Sequence, residues 1–305
     1  MSPLLEFDRR PSPLAYMLRA LRPSPGLSGA GGFPPIRAIW RGMRVEQREF
    51  DIFLRLTGLT SDDTVPMLYP HVVGFPLLMA ILTCPAFPLP IWRALQIRNH
   101  VLQHRPISGG EVLDMESRVA GQRILEKGAE VDLHTAASSP SGLLWESLNT
   151  FYFRGRFGNA EPVSPLAPAP AFGASSITRW QTLSGVGWQF GRLTGDYNGI
   201  HLRNGYARLF GFPRAFHHPQ LVLGQCLAHL PDPDPGRPQR LDAWLKGPVF
   251  YDCGVALHAS READRTVFGL IPEGQDRPAI LGRWRSCDPA SQLVDPSPEA
   301  LQLKR

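Results

Sequence analysis

A chain of 305 residues with 43% apolar, 10% aromatic and 19% charged residues has the balance of a protein with a sizeable core, which excludes a disordered chain. The formal charge of +5 rests on 29 arginines, the 32 basic residues less Lys127, Lys246 and Lys304. They are scattered instead of clustered with aromatics, which argues against a nucleic-acid surface. Arginine excess fits either GC-rich codon usage or an anionic ligand held bidentately. Cys84, Cys226, Cys253 and Cys287 form no CxxC knuckle and no histidine cluster completes a zinc set, so reduced thiols in a cytoplasmic protein without a metal are expected.

In chain order, residues 1–35 lack a secretory apolar region and are expected to be a loosely ordered extension. Phe50, Phe53 and Leu54 have helical spacing and run into Arg55-Leu56-Thr57-Gly58. Residues 72–92 carry no charge over a bilayer-spanning length, but Pro76, Pro85, Pro88 and Pro90 interrupt them. A buried core helix from about Pro76 to Cys84 is expected there. Alternating residues from Val112 to Arg118 and the segment "LNTFYFRGRF" read as strands. Residues 158–172 fall in a Pro/Ala-rich stretch that reads as an extended, semi-rigid connector. Beyond it, Val186, Phe190 and Leu193 lead into Arg192-Leu193-Thr194-Gly195. Strand patterns follow at Val255, Leu257 and Ala259 and at "ILGRWRS", and 290–305 form a polar tail.

These signals repeat. "RLTG" recurs at an offset of 192 − 55 = 137, Pro76 matches Pro219 at 143, and "RPISGGEVLDMES" from 105 matches "GPVFYDCGVALHA" from 247 at 142. Three matches in one order indicate two copies of one module, at 36–157 and 173–289. Each copy reads helix, irregular loop, apolar helix, then antiparallel strands. Such an α+β module packs most simply with its sheet wrapped around the helix. Two modules can join their sheets and place sites at the seam.

The loop "GDYNGIH" at 195–201 brings a carboxylate, an amide and an imidazole within six residues. In a compact loop Asp196 and His201 can reach one water and divide the proton transfers of adding it to a double bond. Asn198 can fix the loop or orient the water. Taken alone, Gly-Asp-x-Asn-Gly is also ordinary turn chemistry. A calcium loop fails because Ala207 stands where the closing Glu belongs, and no Gly-x-Ser-x-Gly elbow occurs. The repeat weighs against a purely architectural loop. Leu59, Ser61 and Thr64 stand opposite Asp196, Asn198 and His201, so only the second module carries the acid/base pair.

"LTGDYNGIH", with "GFPRAFHHPQLVLGQ" downstream, resembles the hydratase-2 motif of the MaoC-like, R-specific enoyl-CoA hydratases and dehydratases. The resemblance implies a double hot-dog, two tandem modules each with an antiparallel sheet around a central helix, with catalysis in the C-terminal one. It implies Asp196 and His201 as the catalytic pair, Asn198 as supporting amide, and reversible syn hydration of a trans-2-enoyl thioester to an R-3-hydroxyacyl thioester. No metal or redox cofactor is implied; CoA or an acyl-carrier protein is part of the substrate. Two residues depart from the family pattern. Gly199 replaces the usual Pro. Pro219 replaces the Gly whose amide donates to the thioester oxygen, so the amide of Gln220 or a His217 or His218 side chain would have to serve.

The apolar run 72–92 is a candidate wall for the acyl chain, and Arg203, Arg208 and Arg214 are candidate phosphate ligands. The leading expectation is therefore a hydro-lyase acting on medium or long enoyl thioesters. The alternatives are a dehydratase of branched or dicarboxylic hydroxyacyl thioesters and an acyl-thioester-binding protein without turnover. No transmembrane span or nucleic-acid partner is expected, and a homodimer stays open.

Overall fold

The computed structural model describes residues 3–27, 32–158, 164–172, 175–234, 237–262 and 264–293. The first half holds β1 (Leu4–Phe7), α1 (Pro13–Ala20), β2 (Arg37–Met43), α2 (Gln47–Thr57), β3 (Thr64–Val65), α3 (Tyr69–Leu82), β4 (Ala94–Gln103), β5 (Ile107–Ser108), β6 (Leu113–Leu125), β7 (Gly128–Ser139) and β8 (Gly142–Arg154). The second holds β9 (Ser176–Gln181), α4 (Val186–Thr194), α5 (Asn204–Leu209), α6 (Pro219–Leu227), β10 (Gln239–Leu245), β11 (Gly254–Glu262), β12 (Arg265–Pro272) and β13 (Ile280–Ser286).

Eleven strands form one sheet, ordered β1-β2-β6-β7-β8-β4-β10-β13-β12-β11-β9. Outward from the centre, β4-β8-β7-β6-β2 on one side mirrors β10-β13-β12-β11-β9 on the other. The seam is the antiparallel pairing of β4 with β10, from Gln103 opposite Gln239 to Arg98 opposite Trp244. The sheet wraps α3, all of whose residues are buried, as an apolar surface on every side requires. The arrangement is a double hot-dog.

The repeated tetrapeptide is a helix end. Thr57 and Thr194 each donate their hydroxyl to the carbonyl four residues back, Phe53 (2.8 Å) and Phe190 (3.0 Å). Gly58 (φ 76°) and Gly195 (φ 74°) then close α2 and α4 in the left-handed conformation, which glycine adopts without a Cβ penalty.

Two expectations need correction. The core helix does not open at Pro76: α3 starts seven residues earlier and carries Pro76 inside it. Tyr69 sits edge-on to Phe50 (5.0 Å) and Phe53 (5.1 Å), and this packing outweighs the hydrogen bond that proline removes. The described part of the segment before residue 36 is also not a loose extension. β1 pairs in parallel with β2, α1 contacts α3, and Tyr16 is buried.

The connector packs against the sheet where it is described. Ser164 donates to Glu130, itself paired with Arg98 and Arg123, and Trp244 Nε1 donates to the Leu166 carbonyl. Leu293 is buried, and 294–305 lie outside the described residues. No described helix is long and apolar enough to cross a membrane.

Phe53 is fully buried where α2 meets α3. Phe53→Ala should lower unfolding free energy by about 3–5 kcal/mol, read from the denaturant midpoint. A change below roughly 1 kcal/mol would contradict this packing.

Candidate active site

The loop after α4 is built by short-range hydrogen bonds. The Thr194 hydroxyl accepts from the Asp196 N–H (3.1 Å), the Asp196 carboxylate from the Asn198 N–H (3.0 Å), and the Asn198 side-chain oxygen from the Ile200 N–H (3.3 Å). Asn198 thereby caps a single 3₁₀ turn, Gly199–His201, which carries the imidazole. Gly191 of α4 lies under the loop, where a Cβ would stand 2.9 Å from the Asp196 carbonyl oxygen.

His201 Nδ1 donates to the Phe216 carbonyl (3.0 Å), because a carbonyl can only accept. Its Nε2 therefore presents a lone pair, 3.9 Å from Asp196 Oδ2. The His201 side chain is 7% exposed and that of Asp196 19%. Burial lowers the His201 pKa, partly opposed by the Asp196 charge and the Phe216 hydrogen bond. The Tyr251 hydroxyl steadies the turn by donating to the His201 carbonyl (2.7 Å).

His218 stacks on His201 with ring centroids 4.1 Å apart. Its Nε2 donates to the Asp196 backbone carbonyl (3.0 Å), and burial holds its pKa well below the ordinary range. Ligand atoms of Asp196, His201 and His218 lie within 4.8 Å of one another. Of these atoms, His218 Nε2 is already engaged as a donor to the Asp196 carbonyl.

Asp196, Asn198 and His201 line one cavity of about 740 Å³. Phe75, Met79 and Leu82 of α3, with Ile91 and Trp92, supply its apolar wall, so the run 72–92 faces the second half's loop. The cavity also takes in Leu95, Gln96 and Leu245, where β4 and β10 part beyond the last seam pair.

Of the other residues singled out in the sequence, Arg203 lines this cavity, together with Arg154 and Lys246, all three exposed. Arg214 does not line it; the guanidinium stands over the Phe250 ring, 5.4 Å from the centroid. Arg208 donates to the Pro213 carbonyl. Gln220 is buried off the cavity, its side chain tied into the seam by Gln96 and Asn99, whereas Pro219 lines the cavity. His217 is buried against the Tyr251 ring with neither ring nitrogen paired.

Several residues missed from the sequence lie in the N-terminal segment. Met17, Ala20 and Leu21 roof the cavity. The Tyr16 hydroxyl donates to the Gly195 carbonyl (2.5 Å), one residue before Asp196, and burial first, then the Asp196 charge, keeps this phenol protonated. Arg10 pairs with Glu49 and donates to the Arg192 and Leu193 carbonyls at the end of α4. The apolar residues of "PLAYMLRAL" were a visible sign of a helix, but nothing in them named its distant partner.

The chain resembles known proteins in sequence and fold, although no family model matches it. It is 28% identical over 231 residues to the 3-hydroxyacyl-thioester dehydratase X of Mycobacterium tuberculosis, covering 72% of this chain and 79% of that protein. The crystal structure of HtdX from the same organism superposes with a TM-score of 0.70 at 21% identity, covering 82% of this chain and all of that one. A MaoC-like dehydratase from Phytophthora capsici superposes at 0.68 with 16% identity, covering 84% and 96%. The fold is that of the tandem double hot-dog in these MaoC-like structures. Within this fold, the loop with the carboxylate and imidazole lies in the C-terminal half.

Two outcomes follow from this geometry. Tyr16→Phe removes one buried hydrogen bond, worth roughly 0.5–1.5 kcal/mol. Amide exchange at 195–198 should speed up by about 3- to 10-fold, while exchange in β7 stays unchanged. The second outcome concerns four buried histidines. Burial lowers His71 to about 3, His217 to about 4, and His201 and His218 below the ordinary value of 6.5. The unfolded chain then binds more protons than the folded one between pH 6.5 and about 3, so stability is full above this window and is lost as pH falls through it. Replacing His71 by Phe should flatten that slope in thermal unfolding.

Proposed function

We propose that this protein is a hydro-lyase that adds water reversibly to a trans-2-enoyl thioester, giving an R-3-hydroxyacyl thioester, with Asp196 and His201 as the acid/base pair. The observation that carries this reading is the 3.9 Å gap between Asp196 Oδ2 and His201 Nε2 inside an apolar cavity. A water at about 2.8 Å from each atom spans that gap with ordinary hydrogen bonds. As its oxygen bonds to C3, a proton passes to the pair and the C2–C3 electrons move toward the carbonyl, forming an enolate. The pair returns a proton to C2, so the sum is addition of one water. Delivery of both groups from one side gives syn addition.

Low basicity suits this role. A neutral His201 keeps its lone pair at pH 7, and the lowered pKa places the acid limb of the rate profile below the ordinary histidine range. Asn198 holds the loop through its cap on Ile200. Phe75, Met79 and Leu82 suit an aliphatic chain more than a second carboxylate, which supports the hydratase reading over a dicarboxylic substrate. The exposed Arg154, Arg203 and Lys246 suit phosphates of a CoA or carrier arm. We assign no metal or redox cofactor, since the thioester carrier belongs to the substrate. The relative named as a 3-hydroxyacyl-thioester dehydratase is named for the reverse direction of this equilibrium.

Crotonyl-CoA and a twelve-carbon enoyl-CoA, followed by loss of enoyl absorbance, test the reading. At least one should be consumed, and Asp196→Asn should reduce kcat on the order of 10²-fold or more. If no enoyl or 3-hydroxyacyl thioester turns over and Asp196→Asn binds ligand unchanged, the protein is a binding protein and the enzymatic reading fails.

A further inference from the structure

Hydration of an enoyl thioester builds negative charge on the carbonyl oxygen, and a donor facing that oxygen supplies much of the catalysis. A backbone amide at the first residue of α6 would fill this role, but that residue is Pro219, which lines the cavity and has no N–H. We propose that Gln96 of the first half supplies the missing donor and is a catalytic residue. This inference rests on the hydro-lyase reading above.

Three observations lead to Gln96. It lines the same cavity as Asp196, His201 and Pro219. It sits where β4 shifts register against β8, between Gln96 and Arg98, and such irregularities re-aim side chains beside active sites. Its amide is held on both sides. Gln220, the neighbour of Pro219, donates to Gln96 Oε1 (3.1 Å), and Gln96 Nε2 donates to Asn149 Oδ1 (2.7 Å).

These bonds belong to a chain of amides. Asn99 donates to Gln220, Gln220 to Gln96, Gln96 to Asn149, and Asn149 to Ser147. Reversing every amide keeps the chain and also gives a donor to Asn99 Oδ1, which is otherwise buried without a partner. In either direction Gln96 Nε2 spends one N–H on the chain and keeps the second uncommitted. The donor is therefore pre-oriented, as electrostatic stabilisation requires.

The location agrees with the chemistry. His218, one residue before Pro219, stacks on His201. Gln220, one residue after it, carries the bond to Gln96. The start of α6 thus has the acid/base pair on one side and the Gln96 amide on the other. On water addition the C2–C3 electron pair moves onto the thioester oxygen, which accepts from the free Gln96 N–H until C2 is protonated. A competing donor in the cavity is the Asn198 side-chain amide, whose oxygen serves the loop.

The test uses the full-length protein with Gln96→Met, which keeps the length and removes both donors. The kcat for crotonyl-CoA should fall on the order of 10²-fold with KM changed less than about threefold. Adding Pro219→Gly to this variant restores an N–H at the start of α6 and should recover about tenfold or more. Infrared difference spectra of carbonyl-labelled butyryl-CoA, which cannot react, should show the carbonyl stretch lowered on binding wild type and not on binding Gln96→Met. A loss of kcat with the carbonyl shift retained would overturn the assignment and leave Gln96 a seam residue. Retained kcat, or a shift abolished only by Asn198→Ala, would overturn it in favour of another donor. The butyryl-CoA measurement needs no turnover, so failure of the hydro-lyase reading and failure of the Gln96 assignment are separable.

Discussion

The antiparallel pairing of β4 with β10 is the constraint on which the rest of the molecule depends. Each half-sheet would otherwise end in an unpaired strand at this edge, an open template for association. Joining the two edges removes both and fixes one half against the other. The pairing runs from Gln103 to Arg98 and then stops. Beyond that point the strands part, and residues 94–97 of β4 and residues 245–248, from the last residue of β10 onward, line the gap that becomes the cavity. A site at the seam is thus a consequence of where the hydrogen-bond ladder ends.

Two halves with one topology have diverged at one place. In the first half, 69–75 form the opening turns of α3 and bury their side chains in the core. In the second half, the matching stretch 212–218 is not helical. Its backbone is free of intrahelical bonds and serves the site instead. The Phe216 carbonyl fixes the tautomer of His201, and His218 binds the Asp196 carbonyl. The unwound stretch surrounds the Asp196–His201 loop, while the helical one gives the cavity its apolar wall.

The N-terminal segment ties these parts together from outside the repeat. Arg10 occupies carbonyls at the C-terminal end of α4, where the helix leaves acceptors unsatisfied and the dipole favours a cation. Tyr16 holds the Gly195 carbonyl, and Met17 of the same helix and Leu21 just after it roof the cavity. One short segment therefore touches both the Asp196–His201 loop and the apolar side of the cavity.

The repeat, its helix ends and the asymmetry between its copies were legible in the chain. Thr-Gly after a helical period is a local signal, and a carboxylate, amide and imidazole within one turn need no distant partner to be found together. The start of α3 was misread because Pro76 has a strong local preference that the packing of Tyr69 against Phe50 and Phe53 overrides. The roles of Tyr16, Arg10 and Gln96, and the absence of Arg214 from the cavity, were not legible either. Their partners lie far off in sequence: 179 residues separate Tyr16 from Gly195, and 124 separate Gln96 from Gln220. The sequence determined the module, its duplication and which copy holds the Asp196, Asn198 and His201 loop, because those depend on neighbours along the chain. Only the tertiary structure decided which groups surround that pair, because side-chain contacts across a seam depend on strand register and on where the ladder ends.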